Sequence, residues 1–130
     1  MILLDTSAIF ALADARDPNH ERARAGFERL LRADEPLLTH SYILGEAAAL
    51  LQRRLGLTAA LQFLEEASDL EIHWIGAEEH RVAVDLLRTR GRRSLSLVDC
   101  TSFVVMRRYG VVTALAFDSD FEAEGFSLYA

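Results

Sequence analysis

Short apolar segments alternate with amphipathic helical segments along this chain, and this alternation restricts the possible folds more than any other feature. The segments that predict strands are residues 1–4, 36–40, 71–76, 111–118 and 126–129. Periodicity and capping residues predict helices at about residues 7–15, 20–33, 41–55, 58–68, 77–89 and 98–109. Strands separated by helices pair in parallel and are covered on both faces. The sequence therefore predicts an α/β fold, with residues 111–118 as a central strand and residues 126–129 at an edge.

Local signals add detail to this outline. Ser41 and Thr58 are predicted to cap the helices that follow them. The helix beginning near His20 is predicted to bury Ala23, Phe27, Leu30 and Leu31.

The length of 130 residues and the apolar content of 51% allow one substantial core, so we expect a single domain spanning residues 1–130. No uncharged run approaches the roughly 20 apolar residues that a membrane span requires. We therefore expect a cytoplasmic protein with no membrane contact. Cys100 is the single cysteine, which excludes an internal disulfide, and a core position is favoured over a nucleophile.

Acidic residues follow two of the predicted strands. Asp5 ends the first strand and Asp118 ends the fourth, with Asp120 two residues later. Ligands of parallel α/β sheets bind beyond the carboxyl ends of the strands. The sequence therefore predicts that these carboxylates meet at one edge of the sheet.

Two further acids lie on predicted helices. Asp99 projects into the apolar face of its helix, between Phe103 and Met106, where it either ligates a metal or closes a capping box with Ser96. Glu46 lies at the border of an apolar stripe, where a solvated glutamate is the ordinary interpretation. Its significance rests on its combination with the other acids.

Converging carboxylates predict a metal site. Each close pair repels by about 4 kcal/mol at 4 Å for an effective dielectric constant near 20. Mg²⁺ or Mn²⁺ accepts all-oxygen ligands, whereas zinc is disfavoured because the four histidines show no ligand spacing and are interpreted as surface or boundary residues. Carboxylate-held metals suit phosphodiester hydrolysis. Thr6, Ser7 and Ser102 either orient water and ligand carboxylates or act only as local caps.

The net charge of −6 at first argues against a nucleic-acid partner. Five of the twenty acidic residues are those of the proposed site, so the rest of the chain carries a formal charge of about −1. All fourteen basic residues are arginine, whose planar guanidinium suits phosphate recognition.

Four segments together resemble the PIN-domain nucleases, and the small chain resembles the VapC-type toxins of bacterial toxin–antitoxin pairs. They are LLDTSAI (3–9), ILGEAAALL (43–51), SLVDCTSF (96–103) and AFDSDFEAEGF (116–126). The resemblance implies a five-stranded parallel sheet and a metal-dependent ribonuclease. It also implies a homodimer and a small antitoxin that inserts a peptide near the active site.

The resemblance assigns the metal site residue by residue. It maps the catalytic acids onto Asp5, Glu46, Asp99 and Asp118, with Asp120 as an auxiliary ligand and Ser7 beside the first acid. Many relatives have threonine two residues before the fourth acid, where this chain has Ala116, which removes one possible hydrogen bond and leaves the acids intact.

A basic segment precedes the helix that carries Asp99. Arg90, Arg92 and Arg93 are predicted to hold the RNA backbone, and a solvated loop is the alternative. Response-regulator and haloacid-dehalogenase folds also gather acids at strand ends, but both need a lysine that this chain lacks. A non-catalytic PIN fold used for binding or as a scaffold is the remaining alternative.

Overall fold

Five short strands form one parallel sheet, in a computed structural model that describes residues 1–130. The strands are β1 (Ile2–Leu4), β2 (Leu37–His40), β3 (Glu71–His73), β4 (Thr113–Leu115) and β5 (Ser127–Leu128). Their order is β3-β2-β1-β4-β5, and each neighbouring pair runs parallel. The α/β fold with a five-stranded parallel sheet, covered by helices on both faces, is confirmed.

Seven α-helices connect or follow the strands. They are α1 (Thr6–Ala13), α2 (His20–Arg32), α3 (Ser41–Leu55), α4 (Leu57–Glu66), α5 (Ala77–Arg90), α6 (Leu97–Tyr109) and α7 (Asp120–Ala123), with one 3₁₀ turn at Ala67–Asp69. Gly91 and Gly110 end α5 and α6 in the left-handed conformation, with φ of 61° and 68°, which glycine adopts without a steric penalty. No helix has both the length and the apolar character needed to cross a lipid bilayer.

The centre of the sheet differs from the prediction. Residues 111–118 were expected to form a central strand, and β4 is indeed an interior strand between β1 and the edge strand β5, but it covers only Thr113–Leu115, and the middle strand of the sheet is β1. The chain passes from β1 outward to β2 and β3, and then returns to the other side of β1. Strand order therefore reverses between β1 and β4, which is the switch point where such sheets bind ligands.

Three local predictions are wrong. The side chain of His40, not that of Ser41, caps α3 by accepting a hydrogen bond from Ile43 N at 3.3 Å. Helix α4 begins directly after Gly56, without a side-chain cap, so Thr58 lies inside the helix. Leu31 is 54% exposed, whereas Ala23 and Leu30, predicted for the same buried face of α2, are buried together with Gly26.

The core lies between the sheet and its helices. Strand residues Leu3, Leu38 and Leu115 are fully buried. On the β4 and β5 side, the ring of Phe103 meets that of Phe121 edge to face at 5.2 Å. Cys100 is fully buried, as expected for a core cysteine. This packing holds the carboxyl ends of β1 and β4 side by side.

Candidate metal and RNA site

Asp5 lies at the carboxyl end of β1 and is 4% exposed. It is the N-cap of α1, and its Oδ2 accepts hydrogen bonds from Ser7 N at 3.2 Å and from Ser7 Oγ at 2.7 Å. The Ser7 hydroxyl in turn accepts a hydrogen bond from Phe117 N at 2.9 Å. Ser7 therefore links the end of β1 to the segment that follows β4. Thr6 Oγ1 is the one buried side-chain polar atom without a hydrogen-bond partner.

Asp99 forms the capping box, which is one of the two roles that the sequence left open for it. Its Oδ2 accepts a hydrogen bond from Ser96 N at 3.0 Å, while Ser96 Oγ accepts one from Asp99 N at 3.0 Å, which completes the capping box. Asp99 also faces the acids that follow β4. Asp99, Asp118 and Asp120 each offer a carboxylate oxygen, and these oxygens lie within 4.8 Å of one another.

The turn after β4 orients Asp118 and Asp120. Asp118 Oδ1 accepts a hydrogen bond from Asp120 N at 2.9 Å, which closes the turn before α7. Both side chains are partly buried. Because Asp120 N binds one oxygen of Asp118, the two carboxylates are held on the same side of the turn.

Burial and the charges of neighbouring acids raise the pKa values of three of these carboxyl groups. Burial raises the pKa of Asp5 from 3.8 to about 6, and the charges of Asp99 and Asp118 add to this rise against the lowering effect of Ser7. Burial, followed by Asp118 and Glu46, raises the pKa of Asp99. Burial and Asp120 raise the pKa of Asp118. The ionised carboxylates therefore repel one another across the carboxyl edge of β1 and β4.

Glu46 is less closely placed than Asp99, Asp118 and Asp120. It lies on α3, is exposed, and falls outside the group of three carboxylates within 4.8 Å. Its charge nevertheless raises the pKa of Asp99, which puts it within electrostatic reach of that carboxylate. The structure brings Asp99, Asp118 and Asp120 together, with Asp5 and Glu46 outside this group but within electrostatic reach of it.

The donor set fits a hard divalent cation. The close carboxylates supply only oxygen ligands, with no histidine or cysteine among them. Mg²⁺ and Mn²⁺ prefer such ligands and keep several waters, so a complete cage of protein atoms is not required. A bound cation would also relieve the repulsion that raises these pKa values.

The three predicted RNA-binding arginines have different contacts. Arg90 donates to both carboxylate oxygens of Glu124, whose side chain is 3% exposed. Arg92 Nη2 donates to Asp120 Oδ1 at 3.3 Å. Arg93 is exposed and forms no ion pair. The ion pair with a buried glutamate gives Arg90 a structural role that does not require RNA. Arg92 instead lies beside the acids, and Arg93 is the next residue on the surface.

His40 was interpreted as a surface or boundary residue, and this is wrong. It is fully buried at the end of β2, and burial lowers its pKa to about 3. Because Nδ1 accepts from Ile43 N, Nε2 carries the proton and donates to Ser102 Oγ at 2.8 Å. Ser102 then donates to Val98 O at 3.1 Å. The Ser102 hydroxyl is thus occupied in joining α3, which carries Glu46, to α6.

A parallel α/β sheet with three carboxylates gathered at its switch point restricts the families to which this chain can belong. The comparison with known families identifies which one. The sequence profile described as PIN domain matches residues 2–126, so the chain belongs to the PIN-domain family.

Two proteins of Mycobacterium tuberculosis are similar to this chain. The chain is 37% identical to the 23S rRNA-specific endonuclease VapC20 over 129 residues, covering 97% of this chain and 95% of that protein. It is 28% identical to ribonuclease VapC26 over 119 residues, covering 90% and 86% respectively. These relatives confirm the resemblance to the VapC-type group.

Solved structures agree with this assignment. The crystal structure of M. tuberculosis VapC20, described as a sarcin-ricin loop cleaving toxin, superposes with a TM-score of 0.84 at 36% identity, covering 97% of this chain and 96% of that one. FitAcB from Neisseria gonorrhoeae superposes with a TM-score of 0.70 at 18% identity, covering 100% and 97%. The second comparison supports the fold alone.

Proposed function

We propose that this chain is a divalent-metal-dependent endoribonuclease that hydrolyses RNA phosphodiester bonds, folded as one nuclease domain over residues 1–130. The gathering of Asp99, Asp118 and Asp120 at the switch point between β1 and β4, within electrostatic reach of Asp5, carries this proposal. Its similarity to ribonucleases over nearly the whole chain supports RNA as the substrate class. The cytoplasm is the compartment where such a substrate is available.

The proposed metal ligands are Asp5, Asp99 and Asp118, with Glu46 and Asp120 as further oxygen donors for Mg²⁺ or Mn²⁺. When bound there, such a cation would activate water for attack and would offset the charge of the phosphate. Ser7 holds the carboxylate of Asp5 in one orientation through its two hydrogen bonds. Ser96 does the same for one oxygen of Asp99 and leaves the other oxygen without a protein hydrogen bond.

The test is cleavage of structured RNA by wild type and by Asp99→Asn, in Mg²⁺, in Mn²⁺ and in chelator. Asparagine still accepts the hydrogen bond from Ser96 N, so the helix cap is retained while a negative ligand is lost. Asp85→Asn, on the exposed surface of α5, is the charge-matched control. A 23S rRNA fragment with the sarcin-ricin loop is the first RNA to use, since a similar protein cleaves that loop.

We expect metal-dependent cleavage that Asp99→Asn reduces by at least about 100-fold and that Asp85→Asn leaves unchanged. No cleavage under any condition, with no heat of Mn²⁺ binding by calorimetry, would favour the non-catalytic scaffold instead.

We further propose that the chain is the toxin of a VapBC-type pair and that its antitoxin binds the apolar groove between α1, α2, α3 and α4. This groove has a volume of about 410 Å³, and it is lined by Leu12, Phe27, Leu51 and Phe63 among others. Leu4, which directly precedes Asp5, also lines it. A peptide in this groove would therefore contact the residue that directly precedes the first site acid.

Capture of a small protein encoded beside this gene tests the toxin assignment. Phe63→Arg should abolish capture, because it places a charge in the groove. Leu61→Arg, on the same helix at a position 57% exposed and outside the groove, should leave capture intact. Equal capture by both variants would exclude the groove as the antitoxin site.

A homodimer is the last part of the proposal. Trp74, Val82 and Tyr109 are 70%, 44% and 40% exposed. Trp74 directly follows β3, the edge strand farthest from β5. We propose that this surface pairs with a second copy of the chain.

A further inference from the structure

Arg92 lies in the loop between α5 and α6 and is the only arginine that pairs with one of the five site acids. Its Nη2 donates to Asp120 Oδ1, and a carboxylate oxygen of Asp120 lies within 4.8 Å of those of Asp99 and Asp118. The positive charge of Arg92 also lowers the pKa of Asp118. A guanidinium therefore partly neutralises the same acids that a divalent cation would bind.

The ion pair between Arg92 and Asp120 is weak compared with its neighbour. It consists of one hydrogen bond at 3.3 Å, and the Arg92 side chain is 38% exposed. Arg90, two residues earlier, instead donates both Nε and Nη2 to Glu124, which also pairs with Arg107. Partly exposed single-contact pairs contribute little to stability. Arg92 can therefore leave its partner at a smaller cost in stability than Arg90 can.

We propose that Arg92 and a divalent cation compete for the carboxylate of Asp120, and that the displaced Arg92 binds a phosphate of the RNA backbone. The proposal rests on the proposed function, because it takes the acidic site as a metal site and RNA as the substrate. Asp120 cannot fully neutralise both a guanidinium and a cation that also contacts Asp99 and Asp118. Arg92 freed beside the site presents a planar fork that matches a phosphate.

This exchange couples the two ligands of the protein. Binding of a cation frees Arg92 for RNA, and RNA that holds Arg92 removes a competitor of the cation. Each ligand therefore increases the affinity for the other. Without a cation, the arginine reduces the repulsion among the acids.

Mn²⁺ titration calorimetry without RNA tests the competition. Arg92→Gln removes the competitor and should tighten Mn²⁺ binding about two- to fivefold, the range that a partly exposed ion pair provides. Arg93→Gln removes an equal charge next to it but no ion pair, so its effect should stay below about twofold. In the Asp120→Asn background, the effect of Arg92→Gln should shrink to that of Arg93→Gln.

Nitrogen-15 spectroscopy of the arginine side chains tests the release directly. The Arg92 Nε resonance, assigned by its absence in Arg92→Gln, should move toward the position of a free arginine when Mg²⁺ is added. The Arg90 resonance should not move, because Glu124 lies outside the metal site. With saturating Mn²⁺, Arg92→Gln should also raise KM for RNA and reduce its salt dependence by about one phosphate contact.

The outcomes separate this inference from the proposed function. If wild type binds no Mn²⁺ and cleaves no RNA, the proposed function fails. If wild type binds Mn²⁺ and cleaves RNA, but Arg92→Gln and Arg93→Gln have equal effects on Mn²⁺ affinity and the Arg92 resonance is unmoved, the exchange alone is refuted.

Discussion

Acidification from pH 7 to pH 5 should affect the folding stability of this protein through two buried groups of opposite sign, His40 and Asp5. The pKa of His40 is lowered to about 3 in the folded state, against an ordinary value of 6.5. The unfolded chain therefore binds this proton more tightly, and stability is lost as the pH falls through 6.5. The pKa of Asp5 is raised to about 6 from 3.8, so the folded state binds that proton more tightly and gains stability as the pH falls through 6.

The magnitudes follow from these pKa values. Between pH 7 and pH 5, His40 alone removes about 2 kcal/mol of folding free energy. Over the same range Asp5 alone restores about 1.3 kcal/mol. Glu124, whose pKa is lowered to about 2, loses its stabilising effect only as the pH falls below about 4.5 and contributes little in this window. The contributions of His40 and Asp5 should nearly cancel, to within about 1 kcal/mol, while Asp99 and Asp118, whose pKa values are also raised, change stability in the same direction as Asp5.

Single substitutions should reveal each contribution. His40→Asn keeps a good capping residue and should make the protein about 2 kcal/mol less sensitive to acidification than wild type. Asp5→Asn also keeps a cap and should make it about 1.3 kcal/mol more sensitive. Urea unfolding in chelator gives the free energy of unfolding of each variant at pH 7 and at pH 5. The difference between these two values is compared with that of the wild type, so the absolute stability of each variant does not matter. Equal pH dependence in wild type and His40→Asn would refute the assignment of His40 as a buried neutral group.

Three other substitutions test separate contacts. Ser96→Ala should destabilise the protein by about 1 kcal/mol through loss of the cap on α6 while retaining metal-dependent cleavage, and a loss of cleavage as large as that of Asp99→Asn would contradict the separation of cap from ligand. Ser102→Ala should cost about 1–3 kcal/mol in urea unfolding, because the Nε2–H of His40 is left buried without an acceptor, and a change below about 0.5 kcal/mol would argue against that hydrogen bond. Trp74→Glu should weaken homodimer formation at least about tenfold in analytical ultracentrifugation without lowering monomer stability, whereas an unchanged dissociation constant would exclude this surface as the interface.

Features that depend on neighbouring residues were predictable from the sequence. The alternation of apolar strands and amphipathic helices indicated the parallel sheet, and Gly110 marked the end of α6 because glycine readily adopts a left-handed conformation. The spacing of Ser96 and Asp99 indicated the capping box that the structure contains. Asp5 and Asp118 were placed at strand ends, and the convergence of parallel strand ends at one edge indicated that they would meet.

Features that depend on distant residues required the tertiary structure. His40 is buried because its Nε2–H finds Ser102, 62 residues away, and no local pattern around either residue indicates that contact. The central position of β1 follows from the return of the chain across the sheet, which strand patterns alone do not determine. Arg90 and Arg92 look equivalent in the sequence, yet one pairs with a buried glutamate and the other with the acidic site. Local periodicity and capping chemistry act over a few residues, whereas burial, strand order and ion pairing depend on which distant segments pack together.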